Sequence, residues 1–422
     1  MPESETDTEA MSPHVVVLSS LFPSARQPGA GLFIRERMFR VGRHLPLAVV
    51  APAPWFPLQS LLRRFRPGFR AGAPMHERQQ GIDVWFPRFL SVPGALKQLD
   101  GLAMALGAWP RLRRLRREGR LDLIDAHFAY PDGYAATLLG RWLKVPVTIT
   151  LRGTEVRHAR DPHLAARVRL ALQRATRIFA VSESLRQVAV GLGTPPDKVR
   201  VVGNGVDLER FSPLPRADAR QHLGLPADAP VLITVGALVE RKGFNRVIEL
   251  LPALRQRFPG LIYLVVGGAS PEGDWTDRLK RQVASLGLAD AVRFLGPVAP
   301  QDLRVPLSAA DAFVLATRNE GWANVLLEAM GCGIPVVATD VGGNREVVAS
   351  ADLGIVVPFG DADALRRAIE AVLTERREPG VIHAHACQNT WDRRVEVLLR
   401  EFRSLARAPS RRDAARAEVG HA

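Results

Sequence analysis

Short runs of β-branched and other apolar residues recur along the chain, spaced so that each interval holds about one helix. His14–Leu18 (HVVVL), Leu47–Val50, Leu121–Ile124, Val147–Leu151, Arg177–Val181 and Val199–Val202 form a first series. Val231–Val235 (VLITV), Ile262–Val266, Val292–Leu295, Ala312–Leu315 and Pro335–Ala338 form a second. Such runs suit strands buried on both faces, and strands alternating with helices imply parallel sheets. Two series predict two separate sheets, hence two α/β domains, each large enough to bury a core of its own.

Phe211–Pro226, with Pro213, Pro215 and Pro226 around a charged stretch, reads as the connection, which places the domain boundary near residue 210. The resulting division is an acidic disordered tail over 1–12, a first domain over 13–210, a linker over 211–228, a second domain over 229–384, a helical segment over 385–408 and a flexible tail over 409–422. His385–Leu405 reads as a helix that aligns Trp391, Val395, Leu398, Leu399 and Phe402 on one apolar face, so it must pack on something.

Composition narrows the class. With 47% hydrophobic and 24% charged residues, the 422-residue chain is of globular type. Two cysteines, Cys332 and Cys387, make no disulfide framework and point to a reducing compartment, and no run approaches the length of a membrane span. These features predict a cytoplasmic protein. The net charge of +14 is unevenly placed: residues 1–207 hold 30 Lys+Arg against 17 Asp+Glu, and the remainder is nearly balanced. A basic first half favours an anionic partner, such as acidic lipid on the inner face of the membrane or a phosphorylated acceptor. In LLRRFRPGFR (61–70), Leu61, Leu62 and Phe65 alternate with arginines, which reads either as a membrane-interface helix or as a solvated basic one. RLRRLRREGR (111–120) reads as a solvated helix started by Pro110. Without aromatic stacking platforms or a reader motif, nucleic acid is excluded as a partner.

The chemistry concentrates in RNEGWANVLLEAMGCGIPVVATDVGGNREVV, residues 318–348. A loop ending at Gly321 feeds a helix starting near Asn324, and a helix N-terminus offers free N–H groups to a diphosphate. Glu328 lies about one turn into that helix, where its carboxylate suits ribose hydroxyls. Glu320 precedes the helix and can face a sugar beyond the phosphates. Gly342 and Gly343 form a second glycine turn at a strand end, where open α/β sheets bind ligands. VGALVERKGF (235–244) places Gly236 at a strand end, with Arg241 and Lys242 as diphosphate partners.

Together with VVGNGVDLERF (201–211), FAVSESLRQ (179–187), GAGLFIRERM (29–38), AHFAYPDGYAA (126–136) and TITLRGTEV (148–156), these motifs resemble the family-4 retaining glycosyltransferases, in particular their exopolysaccharide and teichuronic-acid branch. The resemblance spans nearly the whole chain. It implies a GT-B fold, with two Rossmann-like domains facing across a cleft and a C-terminal helix, around Trp391, returning to the first domain. It implies transfer of a sugar from a nucleotide diphosphate to a hydroxyl acceptor, with a lipid-linked glycan as the expected acceptor and neither metal nor cofactor. By the same resemblance Glu320 contacts the transferred sugar, Glu328 grips ribose and Lys242 meets the diphosphate. The backbone of Trp322, Ala323, Asn324 and Val325 holds phosphates and sugar, Phe294–Val298 including Leu295 borders the base, and Gly29 and Gly31 form the glycine loop of the first domain.

Two departures stand out. Ala237 replaces the arginine that often follows Val-Gly, and Arg241 is the cation placed to compensate. Arg152 replaces a first-domain histidine, and arginine is no base at neutral pH. His127, placed at the end of its strand and toward the cleft, is the substitute candidate, with Asp132 and Glu155 as further acceptor-side carboxylates. The competing readings are a nonhydrolysing sugar-nucleotide epimerase, which needs converging acid/base side chains, and a noncatalytic polysaccharide-assembly protein. A dinucleotide-dependent dehydrogenase is disfavoured because no Gly-x-Gly-x-x-Gly follows the first strand.

Overall fold

The computed structural model describes residues 12–57, 59–65, 72, 74–270 and 272–407, without the Arg63 side chain. The acidic start, Arg66 and Arg70 of the basic segment, and the end of the chain from 408 onward lie outside the described residues. The chain divides into two compact units. One takes the described residues up to Ala180, Leu185–Val202 and the chain from Val395 onward; the other takes Val181–Ser184 and Gly203–Arg394.

The first unit is built on strands β1 (Val15–Leu18), β2 (Leu47–Val50), β4 (His76–Gln79), β5 (Ile82–Trp85), β7 (Leu123–His127), β8 (Val147–Leu151), β9 (Arg177–Ala180) and β10 (Val199–Val201), with β3 (Ala53–Trp55) and β6 (Arg88–Leu90) forming a separate parallel pair. The sheet order is β10-β9-β8-β7-β1-β2-β5-β4, parallel throughout except for the β4–β5 hairpin. β1 lies between β2 and β7, Val15 opposite both Leu47 and Leu123, so the order reverses beside β1. Helices α1 (Leu32–Val41), α2 (Gln59–Phe65) and α3 (Asp100–Arg117) belong to this unit.

The second unit carries β11 (Val231–Val235), β12 (Ile262–Val266), β13 (Val292–Gly296), β14 (Ala312–Leu315), β15 (Val336–Thr339) and β16 (Gly354–Val357), all parallel in the order β13-β12-β11-β14-β15-β16. This is the doubly wound order, whose switch point falls between β11 and β14. Apolar layers cover both faces of this sheet, which is why its strands read as unbroken apolar runs.

The expected α/β class with two mainly parallel sheets is met, and several local expectations are corrected. The stretch 385–405 is two helices, Pro379–Gln388 and Trp391–Arg407, separated where Thr390 bridges to Val206. The second helix buries Val395, Leu398, Leu399 and Phe402 among Val15, Phe22, Phe39 and Phe179 of the first unit. Pro110 starts no helix: it sits inside α3, which begins ten residues earlier at Asp100. The supposed linker is built into the second unit. It contains the helix Arg216–His222, whose buried Arg220 donates to Ala309 O (3.1 Å) and pairs with Asp311 (2.8 Å).

Candidate active site

At the switch point of the second sheet, the loops after β11 and β14 lie side by side. Gly243 makes this approach possible: its φ is +80°, and a Cβ there would stand 1.9 Å from Ala316 O. The loop after β15 closes on the same place. Gly342, at φ +57°, runs its backbone so near the β14 loop that a Cβ would lie 1.8 Å from Glu320 O, and Gly343 N donates to Gly321 O at 3.2 Å. The glycine turn expected around Gly342 is therefore a packing requirement between loops.

Within this nest, donors converge on Glu320 Oε1. Lys242 Nζ donates to it at 2.6 Å, Thr317 Oγ1 at 3.2 Å and Arg241 at 3.3 Å. Thr317, which the sequence reading passed over, stands three residues before Glu320, and its one hydroxyl proton is shared between Glu320 and Arg241 O (3.0 Å). Arg241 is held from the other side by Glu272, whose carboxylate accepts from its Nε (2.9 Å) and second terminal nitrogen (2.7 Å). The Glu272 hydrogen bond is the largest influence raising the Arg241 pKa above its ordinary value. Arg241 is thus a paired cation, whereas Lys242 is tied only to Glu320 among the described residues.

The Asn324–Gly331 helix starts where expected, with no side-chain cap on its N-terminus. Asn324 Oδ1 accepts from Asn204 Nδ2 at 2.8 Å, and Glu328 follows a little over one turn later. Trp322 wedges between two glycines, since a Cβ at Gly203 would meet its ring at 2.7 Å and one at Gly343 at 3.0 Å. Its indole Nε1 is buried without a hydrogen-bond partner among the described residues. Gly236 faces the stem of Lys242, and Leu295 lies half-buried near the end of β13. A separate surface groove of about 650 Å³, lined by Asn245, Glu249, Trp275, Arg278 and Gln282 among others, shares no residue with these loops.

In the first unit the expected residues meet beside the β1/β7 switch. His127, expected beyond a strand ending at Ile124 and toward the cleft, is the last residue of β7 and fully buried. Its Nδ1 accepts from Arg152 Nε at 3.1 Å, and its Nε2 lies 3.3 Å from Asp125 Oδ2. Burial, and next the Arg152 charge, hold its pKa at about 4, so the ring is neutral at pH 7, with Nδ1 taken by Arg152 and the buried Nε2 forming no hydrogen bond among the described residues. Arg152 stacks over Phe33 (4.8 Å), and burial followed by the nearby Arg37 lowers its pKa. The sequence carried no signal for Arg37, a fully buried arginine on α1. Glu155 clamps backbone: it accepts from Ala129 N (3.0 Å), Gly153 N (2.7 Å) and Arg152 N (3.2 Å). Asp132 accepts from the backbone N–H of Ser20 and from Ser20 Oγ (3.1 Å), joining the loops after β1 and β7. Gly31 is needed there because a Cβ would meet Leu21 O at 2.4 Å; Gly29 has open space around it.

Burial pushes the Asp132 pKa up to about 7. A folded carboxyl titrating above its unfolded value, 3.8, adds stability below about pH 4 that is lost as pH rises through 7. His127, depressed from 6.5 to about 4, acts oppositely, costing stability as pH falls through that window. The two slopes offset each other between about pH 4 and 6.5. Asp132→Asn should therefore make stability fall more steeply with acid than in the parent, as read by urea midpoints across that range. An unchanged slope would rule out a protonated Asp132.

Against known proteins, residues 69–210 match the family described as Glycosyltransferase Family 4, and residues 215–389 that described as Glycosyl transferases group 1. A Bacillus subtilis protein described as a teichuronic acid biosynthesis glycosyltransferase, TuaC, is 30% identical over 338 residues, 78% of this chain and 81% of that protein. The chain belongs to glycosyltransferase family 4. As a family-4 member it is a retaining glycosyltransferase that takes its sugar from a nucleotide sugar. A D-inositol 3-phosphate glycosyltransferase of Actinosynnema mirum is 34% identical over 326 residues, 72% of this chain and 78% of that protein. Among solved structures, sucrose-phosphate synthase from Thermosynechococcus elongatus superposes with a TM-score of 0.74 at 22% identity, covering 93% of this chain and 99% of that one. Anabaena HepE in complex with UDP-glucose superposes at 0.70 with 22% identity and the same coverage. These likenesses establish the GT-B fold of this family-4 enzyme.

Proposed function

We propose that this family-4 enzyme binds the diphosphate of its donor with Lys242 and the uncapped Asn324–Gly331 helix, and delivers the sugar to a lipid-linked glycan in cell-surface polysaccharide synthesis. The observation that carries the donor half is the convergence of Lys242, Arg241 and Thr317 on Glu320 at the switch point. An arriving diphosphate takes Lys242 from Glu320, which frees that carboxylate to accept hydroxyls of the transferred sugar. Glu328, further along the helix, accepts the ribose hydroxyls. Lys242 and the helix N–H groups then stabilise the charge that develops on the departing diphosphate. The leaving phosphate takes the acceptor proton on the same face, which requires no side-chain base and accords with a buried His127 whose Nδ1 lone pair is taken by Arg152. In this reading His127, Glu155 and Asp132 hold the loops of the first unit, and Arg241, already paired with Glu272, steadies Glu320.

The lipid-linked acceptor is supported by the basic first half of the chain and by the likeness to TuaC. Calorimetry against UDP-, GDP- and other nucleotide sugars identifies the donor. With that donor, Glu328→Ala should weaken binding by about ten- to a hundredfold, the loss of hydrogen bonds to a charged group, with a smaller effect on kcat. Unchanged affinity would remove Glu328 from the ribose site.

A further inference from the structure

Between two helices of the second unit runs a groove of about 650 Å³, within the size range of sites that hold small ligands. One wall is the first two turns of the helix Phe244–Arg257, and the other is the helix Thr276–Ser285, about 15 Å long. These helices follow β11 and β12, so the groove begins at the end of the sheet where the loops around Glu320 lie. Asn245 on the first wall stands three residues after Lys242, and Trp275 on the second stands three residues after Glu272. The groove is nonetheless separate, because none of its side chains takes part in the contacts around Glu320.

Its lining is polar apart from one indole. Trp275 rests on the apolar layer of the sheet, and Arg278 lies over its ring at 4.3 Å. With the ring covered, no aromatic platform is left for a nucleotide base, and without an aliphatic side chain in the lining a lipid tail or an apolar peptide anchor has nothing to bury against. Two arginines, Arg278 and Arg281, stand against one carboxylate, Glu249, so the lining carries a net charge of +1. Both arginines are exposed, and among the described residues neither forms an ion pair; Arg281 only leans its Nε on Asp277 O at 3.4 Å. Stacking fixes the plane of the Arg278 guanidinium and leaves its N–H edge to meet a carboxylate or phosphate two-pronged. Gln282 spans the groove, donating from Nε2 to Asn245 O (3.1 Å) and to Glu249 Oε1 (3.3 Å) on the facing helix. Both its amide protons are thereby used, so Gln282 Oε1 and Glu249 Oε2 remain as fixed acceptors for hydroxyls. Guanidinium forks beside hydroxyl acceptors form the donor and acceptor set for a sugar that bears a negative group.

We propose that this groove is a second saccharide site, which binds an anionic sugar by its carboxylate or phosphate at Arg278 and Arg281 and by its hydroxyls at Gln282 and Glu249. It is distinct from the donor and acceptor positions proposed above, and its binding is measured without turnover. A carboxylate ligand is a uronic-acid unit of a glycan, and a phosphate ligand is a free sugar phosphate. The full chain is titrated by ligand-observed NMR with glucuronic acid, glucose 6-phosphate, glucose and inorganic phosphate. One or both anionic sugars should bind saturably and about tenfold or more tighter than glucose and inorganic phosphate; the tighter of the two names the source. Arg278→Gln/Arg281→Gln should weaken that binding by about ten- to a hundredfold, the loss of hydrogen bonds to a charged group. Lys280→Gln, which removes an exposed charge of the same helix outside the groove, should leave it unchanged, and so should Lys242→Ala. The arginine pair is exposed, so its variant should melt like the parent. The proposal is overturned if neither anionic sugar binds, if inorganic phosphate binds as tightly as they do, or if Arg278→Gln/Arg281→Gln binds like the parent. It is overturned equally if Lys242→Ala abolishes the binding, which would place the anion at the donor loops.

Discussion

Replacing Lys242 with alanine should lower kcat by about a hundred- to a thousandfold, the range seen when one preorganised donor to a developing anion is removed. Lys242 is tied to a single carboxylate, so its charge can be transferred to a diphosphate at the cost of one ion pair. Arg241 cannot substitute readily, because releasing it breaks a two-pronged contact with Glu272 as well as its link to Glu320. In the variant Glu320 keeps Arg241 and Thr317 as partners, so the site should stay folded and ground-state donor affinity should change much less than turnover. Steady-state kinetics together with donor titration separates the two quantities. Turnover at the parent level would remove Lys242 from the leaving-group role.

The second large effect is expected from the smallest change, Gly342→Ala. The added methyl stands 1.8 Å from Glu320 O and is imposed on a residue at φ +57°. Left-handed strain and the collision together should destabilise the second unit by about 2–4 kcal/mol. Relief of the collision pushes the β15 loop away from Glu320, so the donor KM should rise as well. Gly29→Ala provides the comparison, since nothing lies within 4 Å of its position, and it should melt like the parent. Equal melting temperatures for the two variants would contradict the close approach of the loops.

The doubly buried strands were legible because parallel strands covered on both faces must be apolar at every position; all eleven runs read from the sequence correspond to strands. The edges were not. β4, with the sequence HERQ, is half solvated and lacks such a run, and β3 and β6 are three residues each. Asn389 and Thr390 interrupt an otherwise continuous helical pattern through a backbone bridge to Val206, a long-range contact that periodicity does not register. In the candidate site, Glu320, Glu328, Lys242 and the glycine turns were legible because anion binding needs particular residue types at particular ends of elements. Thr317, Glu272 and Arg37 were not. Each reaches its partner through the packing of separate loops or elements, and their residue types are common everywhere in the chain.

The helix Trp391–Arg407 sets an order on synthesis. Phe402 meets Phe179 at 5.9 Å, and Val395, Leu398 and Leu399 complete a core whose other members lie between Val15 and Val202. A ribosome has therefore finished the whole of the second unit before the first can close its core. While the chain is emerging, the second unit can reach its final form without the first, even though the first begins to appear earlier.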